Sequence, residues 1–193
     1  MRSNRAWILT GVALAAGVGV AYVLSGRRIQ LTGGDRILLI GDSMGVGLAP
    51  HLAGLARDEG IEFRSIAVGG TTIRDWTAGS QAAALRGALA AFDPTVVLVS
   101  LGTNDEYLSE ASLAEEHEHL EALLDELGGL AVAWIGPPSL PLKDDGDARA
   151  MIRETSVPYF ASDRLDIPRS PDQLHPTVAG YGAWAGMLWS WLS

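Results

Sequence analysis

The chain has 193 residues, with 23 acidic side chains, 14 basic side chains and no cysteine. All the acidic residues lie after residue 34, where only ten basic residues accompany them, so this part has a formal charge of −13. An acidic field of this kind repels phosphate backbones and makes nucleic acid an unexpected partner. The lack of cysteine is compatible with an oxidising compartment but does not indicate one.

The first predicted element is a membrane-spanning helix over residues 6–24, which are uncharged and almost wholly apolar. A cleavable signal peptide is the alternative, although the apolar run exceeds the ~7–15 residues of a signal core. Arg2 and Arg5, with the amino terminus, slightly outweigh Arg27 and Arg28, which favours a cytoplasmic start. We therefore expect a membrane-anchored protein whose body is exported, periplasmic or extracellular, or a secreted body if the signal is cleaved.

The sequence is therefore predicted to consist of three segments. They are an anchor or signal peptide with its flanks at 1–28, a linker at 29–34 and a body at 35–193. The body has about 160 residues, enough for one well-formed core and too few for two ordinary domains. We expect it to be a monomer.

The body alternates short apolar runs with helical patterns, as α/β proteins with a parallel sheet do. The predicted strands lie at 36–41, within 61–70, where a glycine turn ends the segment, at 95–102, at 130–136 and, as a short fifth strand, at 157–161. The predicted helices lie at 45–60, 73–92, 112–129 and 176–193. These elements predict a doubly wound, flavodoxin-like, three-layer α/β/α fold with a mostly parallel sheet of about five strands, preceded by the transmembrane helix. Ligands of such folds bind beyond the carboxyl ends of the strands.

The first candidate site residue is Ser43, in the sequence Gly41-Asp42-Ser43 after the first predicted strand. A serine at the start of a helix lies beside N–H groups and a positive dipole end that favour developing negative charge. Its hydroxyl becomes an effective nucleophile when a general base removes the proton. The alternative is that Ser43 only caps the helix and Asp42 assists the turn.

Gly70 and Asn104 follow the second and third predicted strands, so both are expected on the same rim of the sheet as Ser43. The amide of Asn104 can donate a hydrogen bond to a carbonyl oxygen that is becoming an oxyanion. The alternative is a loop in which Asn104 and Asp105 form Asx-turns.

Asp172 and His175 lie three residues apart in a loop between Pro171 and Pro176. A carboxylate so close to a histidine can accept the Nδ1–H and leave Nε2 to act as a base.

The other histidines, His51, His117 and His119, are interpreted as structural or solvated. The last two lie among Glu115, Glu116 and Glu118, which predicts a solvated helix face rather than a metal site. No metal and no cofactor is expected. Trp76 could form a platform for a sugar or an acyl chain or could pack in the core. The helical spacing of Trp184, Leu188 and Trp191 predicts core residues.

Four stretches together resemble the conserved blocks of the SGNH, or GDSL, hydrolase family, in the family's order. They are Gly41-Asp42-Ser43, Gly70 in the sequence AVGG, GTND at 102–105 and DQLH at 172–175. The resemblance extends from Arg36 to the last helix, about four-fifths of the chain. Met44 replaces the commoner leucine after the serine, a mild change that does not affect the chemistry.

The resemblance implies that Ser43 is the nucleophile of a serine esterase, His175 its base and Asp172 the residue that orients the base. It also implies an oxyanion hole formed by the backbone N–H groups of Ser43 and Gly70 and the side chain of Asn104. The chain is short for the family, so a large lid is not expected.

The predicted function is serine-dependent hydrolysis of carboxylic esters in a small molecule or a polymer. An exported body without a large lid favours short acyl groups, chiefly O-acetyl, on carbohydrate or cell-envelope polymers. The alternatives are a lysophospholipase or thioesterase acting on longer chains and a catalytically silent surface module. The stretch GDSMGVG is glycine-rich like a phosphate-binding loop, but it lacks the lysine that such loops use to bind phosphate.

Overall fold

Five parallel strands form the central sheet of the computed structural model, which describes residues 29–140 and 147–193. The strands are β1 Arg36–Gly41, β2 Glu62–Ser65, β3 Val96–Ser100, β4 Ala131–Ile135 and β5 Tyr159–Phe160. Their order is β2-β1-β3-β4-β5, and every neighbouring pair is parallel. This is the flavodoxin-like order, in which the chain reverses its direction of winding between β1 and β3.

Helices cover both faces of the sheet and confirm the predicted three-layer arrangement. They are α1 Ser43–Asp58, α2 Ala82–Phe92, α3 Glu110–Glu126, α4 Asp147–Arg153 and α5 Val178–Leu192. Because side chains alternate along a strand, Ile37 and Leu39 of β1 pack on the face covered by α1 and α5. Leu38 and Ile40 pack on the opposite face, with α2 and α3. Burial on both faces explains why β1 is continuously apolar.

The last helix has the buried face that its sequence predicts. Trp184 and Leu188 are fully buried, and Trp191 packs against the same core. Tyr181, near the start of α5, stacks on Trp184 with ring centroids 6.2 Å apart and lies against Gly47 of α1. These contacts join α5 to α1, so the ends of the two helices near the carboxyl edge of the sheet lie side by side.

The structure corrects three predicted elements. The second strand ends at Ser65, before the predicted glycine turn, although the Ile66 and Val68 N–H groups still donate to the Leu39 and Gly41 carbonyls of β1. The predicted helix at 73–92 is divided into a 3₁₀ turn, Arg74–Trp76, and the separate helix α2. The short helix α4 was not predicted from the sequence.

The predicted membrane-spanning segment, residues 6–24, lies outside the described residues, as does the whole of 1–28. Within residues 29–140 and 147–193, no helix has the length and apolarity needed to cross a membrane. The predicted linker at 29–34 contacts the body, because the Leu31 N–H donates a 3.1 Å hydrogen bond to the Leu192 carbonyl at the end of α5. The chain therefore enters the body near the amino ends of the strands, on the opposite side from their carboxyl ends.

Candidate active site

Ser43 is the first residue of α1, and only Asp42 separates it from the end of β1. Gly41 is needed here because β1 passes close to β3: a Cβ at this position would lie 2.6 Å from the Ser100 carbonyl oxygen. Asp42 is the N-cap of α1, and its Oδ1 accepts a 2.8 Å hydrogen bond from the Met44 N–H. The capping role thus belongs to Asp42, which leaves the Ser43 hydroxyl available for other contacts.

A continuous chain of hydrogen bonds joins Ser43 to Asp172 through His175. The His175 Nε2 lies 3.0 Å from the Ser43 Oγ, and its Nδ1 lies 2.7 Å from the Asp172 Oδ2. The other carboxylate oxygen of Asp172 accepts hydrogen bonds of 3.0 Å from the Leu174 and His175 N–H groups. The hydrogen bond with the His175 ring, aided by these N–H groups, lowers the pKa of Asp172 and keeps it ionised.

The loop that contains Asp172 and His175 is held by contacts near its two ends. The Ser170 N–H donates a 2.7 Å hydrogen bond to the His175 carbonyl. The guanidinium of Arg169 donates to the Leu174 carbonyl and, from its second nitrogen, to the Ser139 carbonyl after β4, both at 2.5 Å. These bonds fix the position of the histidine although its side chain is 36% exposed.

Asn104 and Gly70 lie on the same rim as Ser43. A Cβ at Gly69 would lie 3.7 Å from the Ser43 Cβ, so the loop after β2 contacts the serine. Gly70 follows with φ of +81°, a conformation that favours glycine. The Asn104 Nδ2 donates a 2.8 Å hydrogen bond to the Thr71 carbonyl, next to Gly70. Because an amide NH₂ has two hydrogens, Asn104 retains a second donor for a substrate oxygen.

Two buried carboxyl groups lie behind this rim. Asp105 is 1% exposed, and its Oδ1 accepts a 3.1 Å hydrogen bond from the Ile73 N–H. Glu116 is 3% exposed, and its Oε1 accepts a 2.6 Å hydrogen bond from the Arg74 N–H. Burial, reinforced by the nearby carboxyl groups of Glu116 and Asp42, raises the pKa of Asp105 to about 8.

The prediction that Glu116 belongs to a solvated helix face is wrong. Its charged neighbours in α3 are exposed, but Glu116 itself points towards the core. The spacing in the sequence contains the signal that was missed, because Glu116 lies four, seven and eleven residues before the buried Leu120, Leu123 and Leu127.

Trp76 is a core residue and not a binding platform. It is 1% exposed, and its Nε1 donates a 3.1 Å hydrogen bond to the Thr71 Oγ1. His119 lies 3.0 Å from the Thr77 Oγ1 through its Nδ1 and thus has a protein partner. In the part of the chain that the structure describes, no three His, Cys, Asp or Glu side chains cluster as metal ligands would.

A serine, a histidine and an aspartate in hydrogen-bonded series at the carboxyl edge of a parallel sheet define an α/β serine hydrolase. The model of the GDSL-like lipase/acylhydrolase family matches residues 39–183, about three quarters of the chain. The chain therefore belongs to this family and is a serine esterase of the SGNH type. The resemblance noted in the sequence is thereby confirmed.

Solved structures share the fold at low sequence identity. A variant of Axe2, an acetyl xylan esterase from Geobacillus stearothermophilus, is 20% identical with a TM-score of 0.62, and the match covers 86% of this chain and 97% of that one. TesA is 21% identical with a TM-score of 0.62, covering 82% and 98%. The esterase EstA from Pseudoalteromonas sp. is 18% identical with a TM-score of 0.60, covering 81% and 95%. No curated protein matches the chain in sequence.

Proposed function

We propose that Ser43 is the nucleophile of this esterase, with His175 as its base and Asp172 as the residue that orients and stabilises the base. The observation behind this assignment is the series of hydrogen bonds from the Asp172 Oδ2 to the Ser43 Oγ, with lengths of 2.7 and 3.0 Å. Both lengths are within the range of ordinary hydrogen bonds, so the proton can move from the hydroxyl to the imidazole without rearrangement.

The reaction has two stages. The Ser43 Oγ attacks the ester carbonyl carbon while its proton passes to the His175 Nε2, and Asp172 stabilises the imidazolium that forms. The carbonyl oxygen becomes an oxyanion and receives hydrogen bonds from the Ser43 and Gly70 N–H groups and the Asn104 Nδ2. Collapse of the intermediate breaks the bond to the alcohol, which leaves with the proton from His175. Water then attacks the acyl-enzyme with His175 as base and releases the acid and free Ser43.

For the substrate, we propose short acyl esters, chiefly O-acetyl, on carbohydrate or cell-envelope polymers. The side chains of Asp172 and His175 are 50% and 36% exposed, which leaves room for a bulky alcohol beside the triad. The position at which the chain enters the body also supports a polymer ester as the substrate. Leu31 contacts the end of α5, whereas α5 begins three residues after His175, and its 15 residues extend over ~22 Å.

This separation matters if residues 6–24 hold the protein in a membrane, as the sequence predicts. The active site would then lie on the side of the body away from the chain entry and would face outward rather than towards the bilayer. Such an orientation favours a polymer ester outside the membrane over a lipid within it. We accordingly propose a membrane-anchored enzyme with an exported body. Deletion of residues 1–28 should release the active body from the membrane fraction, and protease added outside the inner membrane should degrade the full-length body.

The second candidate, hydrolysis of longer acyl esters, is favoured by exposed apolar side chains close in sequence to three of the proposed catalytic groups. Val46, Val68 and Val178 are exposed and lie within three residues of Ser43, Gly70 and His175 respectively. Such a rim could contact an acyl chain.

Hydrolysis of p-nitrophenyl esters from acetyl to dodecanoyl, followed by acetate release from acetylated xylan, tests the two candidates. Acetyl specificity with release from the polymer supports the first proposal. A kcat/KM that rises with chain length and falls selectively in Val178→Ser supports the second.

A further inference from the structure

The loop that contains Gly70 depends on side chains from another part of the chain. Thr71, Ile73 and Arg74 follow Gly70, and one backbone group of each bonds to a side chain from beyond β3. The Thr71 carbonyl accepts from Asn104, while the Ile73 and Arg74 N–H groups donate to Asp105 and Glu116. Asn104 and Asp105 lie four and five residues after the end of β3 at Ser100, so two successive residues connect the turn after the central strand to this loop.

The two carboxyl groups cannot both be charged without a large cost. Each is at least 97% buried, and each uses one oxygen for a backbone N–H. The Asp105 Oδ2 is fully buried and receives no hydrogen bond from any described donor. The two carboxyl groups are neighbours, because they accept from the N–H groups of successive residues, Ile73 and Arg74. A proton on the free Asp105 oxygen resolves the difficulty, since that oxygen can then donate to the Glu116 carboxylate.

We propose that Asp105 and Glu116 form a carboxyl–carboxylate pair that shares one proton and positions the oxyanion-binding loop at Gly70. Both are positioning residues, since neither contacts Ser43 or His175. The inference rests on the proposed function, because it assigns them to the support of Gly70 and Asn104.

The charged groups around Asp105 and Glu116 determine what happens when the pair loses its shared proton. Glu116 of α3 and Asp42 of the β1–α1 turn are the carboxyl groups that act on Asp105. The Arg74 guanidinium is directed to Glu115, at 3.8 Å, and both side chains are more than half exposed. His119 of α3 bonds to the Thr77 hydroxyl. The buried guanidinium of Arg149 in α4 pairs with Glu106 at 3.1 Å. Loss of the shared proton would therefore leave adjacent negative charges on Asp105 and Glu116, and the contacts to Ile73 and Arg74 would weaken.

The test is the dependence of kcat on pH for full-length protein with p-nitrophenyl acetate, using Ser43→Ala as the blank for spontaneous hydrolysis. We expect the wild-type kcat to decline above pH about 8, where the pair loses its proton. Asp105→Asn can still accept from Ile73 and donate to Glu116 without titrating, so it should keep kcat at pH 7 within about threefold and lose the alkaline decline. Asp105→Ala should lower kcat by up to ~10²-fold with little change in KM, because the loop is misplaced.

Glu118→Ala is the matched control, because Glu118 is an exposed acid on the same helix, and its pH profile should equal that of the wild type. An Asp105→Asn profile with the wild-type alkaline decline, or an Asp105→Ala variant with normal kcat, would overturn the proposal. If Asp105→Ala does not fold, the Asp105→Asn profile decides alone.

A wild type that hydrolyses no ester would contradict the proposed function, and the pair is then tested by stability. Because the raised pKa means that the native state holds a proton that the unfolded chain releases, the wild-type Tm should fall more steeply between pH 5 and pH 8 than that of Asp105→Asn. Equal slopes would overturn the pair itself.

Discussion

Asp172 and His175 lie on an exposed loop that is stabilised mainly by contacts within itself, whereas the loop at Gly70 is held by buried carboxyl groups from distant parts of the chain. The side chain of Asp172 is 50% exposed, and its partners lie within three residues in the sequence. Asp105 and Glu116 are almost fully buried, and they bond to backbone groups 32 and 42 residues away.

The difference follows from what each side contributes to the chemistry. A base must exchange protons with substrate and water, so in its proposed role His175 needs access to solvent and only a local orienting partner. Oxyanion donors must already be in place when charge develops, because a site that has to rearrange loses most of its electrostatic benefit. We call Ser43, Asp172 and His175 the triad side, and the loop at Gly70 with Asn104, Asp105 and Glu116 the buried side. Substitutions on the triad side should therefore reduce activity with little loss of stability, whereas substitutions on the buried side should affect both.

The largest expected effect is that of Ser43→Ala. Without the nucleophile, ester turnover should fall by about 10⁴- to 10⁶-fold, with the residual rate coming from binding and the oxyanion donors. Because Asp42 rather than Ser43 caps α1, the Tm should stay within a few degrees of the wild type. Steady-state hydrolysis and thermal unfolding of the purified variant measure both. Near-normal turnover would refute the role of Ser43.

The second largest effect is expected for Asp172→Asn, which should lower kcat by about 10⁴-fold with little change in stability. The amide can occupy the same space but donates to the imidazole, so the ring takes the wrong tautomer for accepting the serine proton. Measurement of kcat and KM separately, with acetyl ester, distinguishes this from loss of binding. If Asp172→Asn and wild type have the same kcat, the orienting group is another residue.

Asn104→Ala tests the buried side and should lower kcat by about 10²- to 10³-fold, more than it raises KM, because an oxyanion donor acts chiefly in the transition state. Unlike the two triad variants, it should also lower the Tm, since the bond to the Thr71 carbonyl is lost. A raised KM with unchanged kcat would mean that Asn104 only positions the substrate.

The triad side could be predicted from the sequence because its geometry is local. Two residues separate Asp172 from His175, and prolines border the stretch, so the spacing alone indicates that the two side chains can pair. The parallel sheet could be predicted for a similar reason, since each central strand is a short apolar run followed by a turn and a helical pattern.

The buried side could not be predicted so well, because it depends on tertiary contacts. Residues 73–81 have a helical pattern, but only Arg74–Trp76 form a 3₁₀ turn, and the Ile73 and Arg74 N–H groups at its start bond to Asp105 and Glu116. The propensity of this segment is overridden, and α2 begins only at Ala82. A pairing between residues more than 30 apart leaves no periodic trace in a single sequence.

The smallest expected effect is on the pH dependence of stability, where the two sides should have opposite signs. The pKa of Asp172 is lowered in the folded protein, so its contribution is present above the pKa of the unfolded chain and is lost as the pH falls below about 4. Burial raises the pKa of Asp42 to about 6 and that of Asp105 to about 8, so stability should decrease between pH about 4 and pH about 8 and level off above it. Thermal unfolding of wild type and Asp172→Asn from pH 3 to pH 9 should give curves that are parallel above pH about 7.5, where an ordinary imidazole is neutral with or without a carboxylate partner. Below pH 4 the Tm of the variant should fall less steeply, because it has no carboxylate to protonate at this position. If Asp172→Asn instead changed the slope between pH 7.5 and pH 9, above the range in which an ordinary imidazole titrates, the exposed loop and the buried pair would be coupled, and the two loops would not be supported independently.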